Sequence, residues 1–112
     1  MVVAGEGGPI FHIADRAEWE AQAGSPVYRP AAYADEGFVH CSTARQVGPT
    51  LDRHFGNRTD LVLLEIDPER LGAELRWERA PAVGEDFPHV HGPIEREAVV
   101  GVHPHPWGDV AR

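Results

Sequence analysis

The sequence contains no lysine, so all ten of its basic side chains are arginines. Asp and Glu together number 18 and give the chain a net charge of −8. Because binding to DNA, RNA and anionic membranes depends on neutralising phosphates, this acidic balance argues against all three partners. Arginines can still cluster locally around a small anion. We therefore predict neither a nucleic-acid nor a membrane partner, and the composition stays compatible with a small anionic ligand.

Cysteine is nearly absent, since Cys41 is the only one in 112 residues. A single thiol excludes an internal disulfide and a cysteine cluster for zinc. Long apolar runs are also missing, and none approaches the roughly 20 residues of a membrane span. Residues 1–9 are rich in glycine and lack both the basic start and the apolar core of a signal peptide. These absences favour a reducing, cytoplasmic location.

Length and apolar pattern predict one α+β domain with small, mostly antiparallel sheets and two short helices. Residues 10–13 and 74–78 alternate between the two faces of a strand. Residues 61–64 are continuously apolar, which is typical of a central strand covered on both faces. The expected boundaries are a flexible lead-in at 1–8, the domain at 9–103 and a polar tail at 104–112.

The two helices are predicted from their caps and apolar spacing. One runs from Asp15 to about Ala23, and the other runs from Ser42 or Thr43 to about Phe55, with a kink or break at Gly48-Pro49. We also expect loops at residues 34–36 and 79–86. An edge strand is predicted at residues 87–93, because proline cannot donate to a central ladder.

The stretch Gly37–Thr43 carries more polar chemistry than a buried strand usually holds. Alternation places Val39 and Cys41 on one small, apolar side. The other side carries an aromatic ring, an imidazole and a hydroxyl, from Phe38, His40 and Ser42. A functional site built around this strand explains the pattern, and so does a core histidine beside a helix cap. Cys41 should face the core, which argues against a nucleophilic role.

Seven histidines offer the next set of candidates. His89 and His91 share one strand face, a spacing compatible with a metal only if His40 or Glu78 supplies a third ligand. The sequence has neither a HExxH helix nor a carboxylate adjacent to this pair, so we predict no metal site. A histidine-lined polar edge explains the pair equally well. Glu78, which ends a strand after Trp77, could act as a base or stabilise a developing cation. A surface ion pair with a neighbouring arginine is the alternative.

Several of these residues, taken in order, resemble the bacterial and plant family catalogued as domain of unknown function 952. The matching residues cover roughly positions 9 to 103. They are Ile10-Phe11-His12-Ile13, Trp19, Gly37-Phe38-Val39-His40-Cys41-Ser42, Gln46, Leu61 to Asp67, Leu71, Trp77-Glu78, Phe87-Pro88-His89 and Gly92-Pro93.

The resemblance implies a fold similar to the ADP-ribosyltransferase superfamily, in which two small sheets enclose a cleft for a nicotinamide dinucleotide. It implies that His12 touches the ribose and that the His40-Cys41-Ser42 segment lies beside the nicotinamide. Glu78 and His89 are the candidates for the catalytic group of a late strand. The same run resembles a His-x-His-x-Ser/Ala segment of RNA 2′-phosphotransferases but lacks its first histidine, and the usual Glu-x-Glu or Gln-x-Glu motif is missing.

These observations lead to one main hypothesis of function. A histidine-lined cleft would bind NAD or an ADP-ribose-like nucleotide through His12, His40, Ser42 and His89, with Glu78 and His40 as the catalytic residues. The chemistry would be ADP-ribosyl transfer or cleavage of the ribose–nicotinamide bond, with NAD as substrate or ligand rather than a resident cofactor. The alternatives are a non-catalytic module that binds a small ligand or a partner, and a histidine-based metal protein.

Overall fold

A computed structural model of the protein describes residues 8–110, apart from the side chain of Asp109. The predicted lead-in, except for Gly8, lies outside this range. The strands are β1 Ile10–Asp15, β2 Val27–Tyr28, β3 Val39–His40, β4 Leu61–Ile66, β5 Glu74–Ala80, β6 Glu85–His91, β7 Ile94–Glu95 and β8 Val99–Pro104. The α-helices are α1 Arg16–Ala21, α2 Tyr33–Glu36 and α3 Ala44–His54, and 3-10 turns span Pro68–Arg70, Arg96–Ala98 and Gly108–Val110.

The apolar run of β4 organises the largest part of the core. It is the middle strand of the sheet β1-β4-β8, and its residues 61–64 are buried, so the predicted central strand is confirmed. Alternate β4 side chains enter two hydrophobic clusters on opposite faces, one with Leu64 and the other with Leu63. The remaining strands form the sheets β2-β7 and β3-β6-β5, and the pairings in all three sheets are antiparallel. The α+β prediction is confirmed.

The chain after β3 connects the two three-stranded sheets. Phe11 and Ser42 exchange both backbone hydrogen bonds, at 2.8 and 2.7 Å, and so join β1 to this segment. Val39 and Cys41 are buried while His40 is exposed, which confirms the predicted alternation. The polar side of this short segment therefore lies where the two sheets meet.

Both predicted helices form, but the expected break in the second does not. Asp15 caps α1 by accepting a hydrogen bond from the Glu18 amide, as predicted. Helix α3 is continuous through Pro49. Proline frees the carbonyl of Arg45, and both residues lie on the exposed face, where water can bond that carbonyl. The absence of a side chain at the preceding Gly48 also reduces crowding.

Three local predictions were wrong. Residues 34–36 belong to α2 rather than a loop, and Gly37 ends this turn in the left-handed conformation at φ 77°. Residues 79–86 are not one loop, because β5 runs to Ala80 and β6 begins at Glu85. Residues 87–93 are not an edge strand, because β6 is the middle strand of its sheet.

Pro88 is tolerated in the middle strand β6 because the neighbouring strand β3 ends beside it. In an antiparallel ladder, the N–H and C=O of one residue point toward the same adjacent strand. The Pro88 carbonyl accepts from the Cys41 amide, so its missing N–H also faces the chain just beyond the end of β3. The pairing of β6 with β3 ends there, so the missing N–H of Pro88 costs little hydrogen bonding between the strands.

The C-terminal segment, predicted as a tail from residue 104, contacts the rest of the molecule. Strand β8 includes Pro104, and Trp107 packs against the cluster that contains Leu63. Residues 111–112 lie outside the described range. Between residues 8 and 110, no helix is long and apolar enough to cross a membrane.

Candidate functional site

Four of the predicted site residues border a single concavity. The walls of a cleft of about 700 Å³ include His12 from β1, His40 and Ser42 from the β3 segment, and His89 from β6. We call this concavity the histidine cleft. Its volume lies within the range of typical small-molecule sites, which is roughly 300 to 1,000 Å³.

His12 is buried in the wall of the cleft and its tautomer is fixed by one contact. Its Nδ1 lies 2.7 Å from the backbone carbonyl of His40. A carbonyl can only accept, so Nδ1 carries the proton and Nε2 is left as an acceptor. Burial lowers the pKa of His12 to about 4, although the bond to the His40 carbonyl opposes this and the neighbouring His40 ring adds to it. The ring is therefore neutral at physiological pH.

Glu78 does not belong to the cleft wall but supports the histidine that does. Its Oε1 lies 2.8 Å from His89 Nδ1 and 2.8 Å from His91 Nε2. Hydrogen bonds from His91 and His89 hold the pKa of Glu78 below its usual value. The Phe38 ring stacks on both imidazoles, with centroids 4.5 and 5.3 Å away, so the pair is fixed in orientation.

His89 is poised as a neutral imidazole. Because a carboxylate accepts, Nδ1 donates to Glu78 and Nε2 is the nitrogen available to a ligand. Burial lowers the pKa of His89, the Glu78 hydrogen bond opposes that shift, and the nearby His40 lowers the pKa further. This arrangement of carboxylate, imidazole and open nitrogen can accept a proton from a group in the cleft.

This geometry predicts that Glu78→Gln lowers the pKa of His89 further, because the charge that favours the imidazolium is removed. The titration of the His89 ring, followed by NMR, measures the shift. Glu36→Gln is the matched control, since Glu36 lies 3.0 Å from His40 Nε2 and bonds neither His89 nor His91. An unchanged His89 titration in Glu78→Gln would contradict the contact.

His40 and Ser42 differ in exposure and in what holds them. The His40 side chain is 55% exposed, accompanied by Glu36 and by edge contacts with Phe38 and His89 at 4.7 and 4.9 Å. Ser42 is buried and fixed by its backbone bonds to Phe11. The residue that caps α3 is Thr43, so Ser42 is available to the cleft.

Sequence reasoning missed three arginines of the cleft wall, Arg53, Arg58 and Arg79. Arg58 pairs with Asp15 and Asp60 at 2.7 and 2.9 Å. Arg53 lies over the Phe87 ring, 6.0 Å from its centroid. One signal could have found part of this set: Thr50, Arg53 and His54 follow helical i, i+3, i+4 spacing beside the buried stripe of α3 and therefore share a face.

Neither a metal centre nor a reactive thiol is found within the described part of the chain. No group of three histidine, cysteine or acidic side chains has the arrangement of a metal site. Burial raises the pKa of the Cys41 thiol far above its usual value, so the thiolate that a nucleophile requires is not formed.

Comparison with known proteins identifies the family. The model of the family described as "Protein of unknown function (DUF952)" matches residues 13–102. The chain belongs to the DUF952 family. No curated protein matches the sequence.

Solved structures of another protein have the same fold as this DUF952 chain. A crystal structure of CC0527 from Caulobacter crescentus is 32% identical with a TM-score of 0.77, covering 86% of this chain and 84% of that one. A crystal structure of its double mutant is 31% identical with a TM-score of 0.76 and the same coverage. The solution NMR structure of CC0527 is 32% identical with a TM-score of 0.72, covering 86% of this chain and 83% of that one.

Proposed function

We propose that the histidine cleft binds NAD or an ADP-ribose-like nucleotide. The observation that carries this proposal is that His12, His40, Ser42 and His89 all line one cleft of nucleotide size. They come from β1, from the β3 segment and from β6. The family resemblance implies a nucleotide cleft bordered by these residues, and their proximity in space supports it.

The chemistry of the walls fits the parts of such a ligand. The neutral His12 offers Nε2 as an acceptor for a ribose hydroxyl. Arg53 and Arg79 provide guanidinium groups for phosphate oxygens within an otherwise acidic protein. Apolar side chains, among them Phe55 and Phe87, suit an aromatic base.

The architecture supports an ADP-ribosyltransferase-like fold as part of the same proposal. Two three-stranded antiparallel sheets, β1-β4-β8 and β3-β6-β5, are joined by the Phe11–Ser42 pairing. The cleft has walls from both sheets, with His12 on one and His89 on the other. Two small sheets around one cleft is the arrangement that the resemblance implies.

We further propose that the bound dinucleotide is cleaved at its ribose–nicotinamide bond, with His89 as the general base. A water oxygen bonds to the ribose carbon as the carbon–nitrogen bond breaks, and the electron pair of that bond stays with nicotinamide. The water proton moves to His89 Nε2. Glu78, behind His89, stabilises the imidazolium that forms. In a transfer reaction, an acceptor hydroxyl replaces the water.

Ligand binding should raise the melting temperature. At a concentration of about 100 times its Kd, a ligand stabilises a protein by about 2.7 kcal/mol, or roughly 10 °C for a domain of this size. Differential scanning fluorimetry with NAD, ADP-ribose and nicotinamide measures the shift. We expect His40→Ala to lose most of this ligand-induced shift, because His40 lines the cleft. His40 is exposed, so its replacement leaves the core intact.

His105→Ala is the matched control, because His105 contacts Trp107 and does not line the cleft. It should keep the full ligand-induced shift. A wild-type melting temperature that stays flat up to millimolar NAD and ADP-ribose would falsify nucleotide binding. Equal shifts in wild type and His40→Ala would place the ligand elsewhere.

A further inference from the structure

Strand β8 is an open edge of the sheet β1-β4-β8. It pairs with β4 on one side, and no strand within residues 8–110 pairs with its other side. The His105 amide donates to the Leu61 carbonyl, so alternation along the ladder points the N–H and C=O of Val102 away from β4. The side chains of Val100 and Val102 are also open, at 52% and 45% exposed. Such an edge can pair with another extended chain.

A groove of about 550 Å³ lies at the Val100 end of this edge. Its walls combine apolar side chains with three carboxylates, and they include Leu75, Trp77, Val100, Glu65, Asp67 and Glu69. No basic side chain is among the described residues of these walls. We call this concavity the acidic groove. It shares no wall residue with the histidine cleft, so it is a second and separate surface.

The charge of the acidic groove favours a cation. Glu65 lies 3.1 Å from His103 Nε2, and Asp67 lies 3.4 Å from the Arg70 guanidinium, so these two carboxylates have partners. Glu69 is exposed, and its contact with Asp67 uses its backbone amide and leaves its carboxylate open. A basic side chain of another molecule can therefore pair with Glu69.

We propose that the β8 edge and the acidic groove together bind an extended segment of a partner protein that carries an arginine or lysine between apolar residues. The backbone of this segment pairs with Val102, and its apolar side chains pack on Val100 and Val102. Its cation lies beside Glu69 and the Trp77 ring, whose face attracts positive charge. The segment is short, because Pro104 has no N–H to offer to an added strand.

Net charge favours such a basic segment over a second copy of the chain. Each copy carries a net charge of −8, so two copies repel one another. A basic segment is instead attracted both by the whole molecule and by the groove. This inference goes beyond the proposed nucleotide function and does not depend on it, since the two surfaces have no wall residue in common.

Two peptides of about seven residues, the length of a typical strand, test this proposal. Both alternate valine and threonine, and they differ only in a central arginine or glutamate. NMR titration of the isotope-labelled full chain at low salt should show that the arginine peptide binds about 10-fold more tightly than the glutamate peptide. The largest shifts are expected at the amides of Val100 and Val102 and at the Trp77 indole N–H.

Glu69→Lys should reverse this preference, because it reverses the charge that faces the peptide. The arginine peptide should bind the variant about 5-fold more weakly than wild type, and the glutamate peptide should bind it more tightly. Glu20→Lys is the matched control, since Glu20 is equally an exposed acid but does not line the groove. Its preference between the two peptides should stay close to that of wild type.

Several results would overturn this proposal. Equal affinities for the two peptides, binding of neither, or shifts confined to the histidine cleft would each contradict it. Light scattering that shows a dimer, which Val102→Lys dissociates, would assign the edge to a second copy. Nuclear Overhauser contacts from residues 1–7 to the Trp77 ring without peptide would assign the groove to the chain itself. None of these results bears on nucleotide binding, which is measured at the histidine cleft.

Discussion

His89→Gln should slow the release of nicotinamide from NAD by about 100- to 10,000-fold, which is the usual contribution of a general base. Glutamine fills similar space and can still bond Glu78, but it cannot take up a proton. The defect should therefore appear in kcat, with little change in the Kd for ADP-ribose. Single-turnover release of nicotinamide, followed by chromatography, separates the two quantities.

His91→Gln supplies a control that shares nearly every contact of His89. Both imidazoles lie 2.8 Å from the same Glu78 oxygen and stack on Phe38, but only His89 lines the cleft. We expect near-normal kcat from His91→Gln. Equal losses of kcat in His89→Gln and His91→Gln would assign the effect to the packing of the two imidazoles rather than to a general base. Tight NAD binding without any nicotinamide release by wild type would instead favour the non-catalytic binding module.

The elements with strong local patterns were the ones that sequence could predict. The apolar run of β4 has to be buried on both faces. The helical spacing of Val47, Leu51 and Phe55 gives α3 one apolar face, which packs against that core. The sequence predicts a strand on each side of residues 79–86, but this stretch reads as one long loop because it is rich in charged residues and contains a proline and a glycine, so the β5–β6 hairpin was not expected. Pro88 indicates an edge strand until β3 is known to stop beside it.

The candidate site was predictable where residue type mattered and unpredictable where geometry did. Residue type and the family pattern point to His12 and His89, which are 77 positions apart, and both lie on the cleft wall. Glu78 was expected in the cleft itself, and only the β5–β6 register shows that it contacts His89 from behind. Its role as a direct stabiliser of a cation stays a prediction.

The buried His12 should make the protein sensitive to mild acid. Its pKa is about 4 in the folded protein against 6.5 for the free side chain, so the unfolded chain binds the proton more tightly. Stability from the neutral ring is complete above pH 6.5 and is lost as the pH falls toward 4. At about 1.4 kcal/mol per pKa unit, the free energy of unfolding should fall by about 3 kcal/mol across this window.

Urea denaturation at a series of pH values measures this loss, and His12→Gln isolates its source. The glutamine variant should show a much flatter dependence between pH 6.5 and 4, whatever its absolute stability. Some slope should remain, because burial also lowers the pKa of His89. Carboxylates such as Asp15, whose pKa the Glu18 amide and Arg58 lower, act mainly at more acidic pH. A slope in His12→Gln equal to that of wild type would mean that the ring is not held neutral by burial.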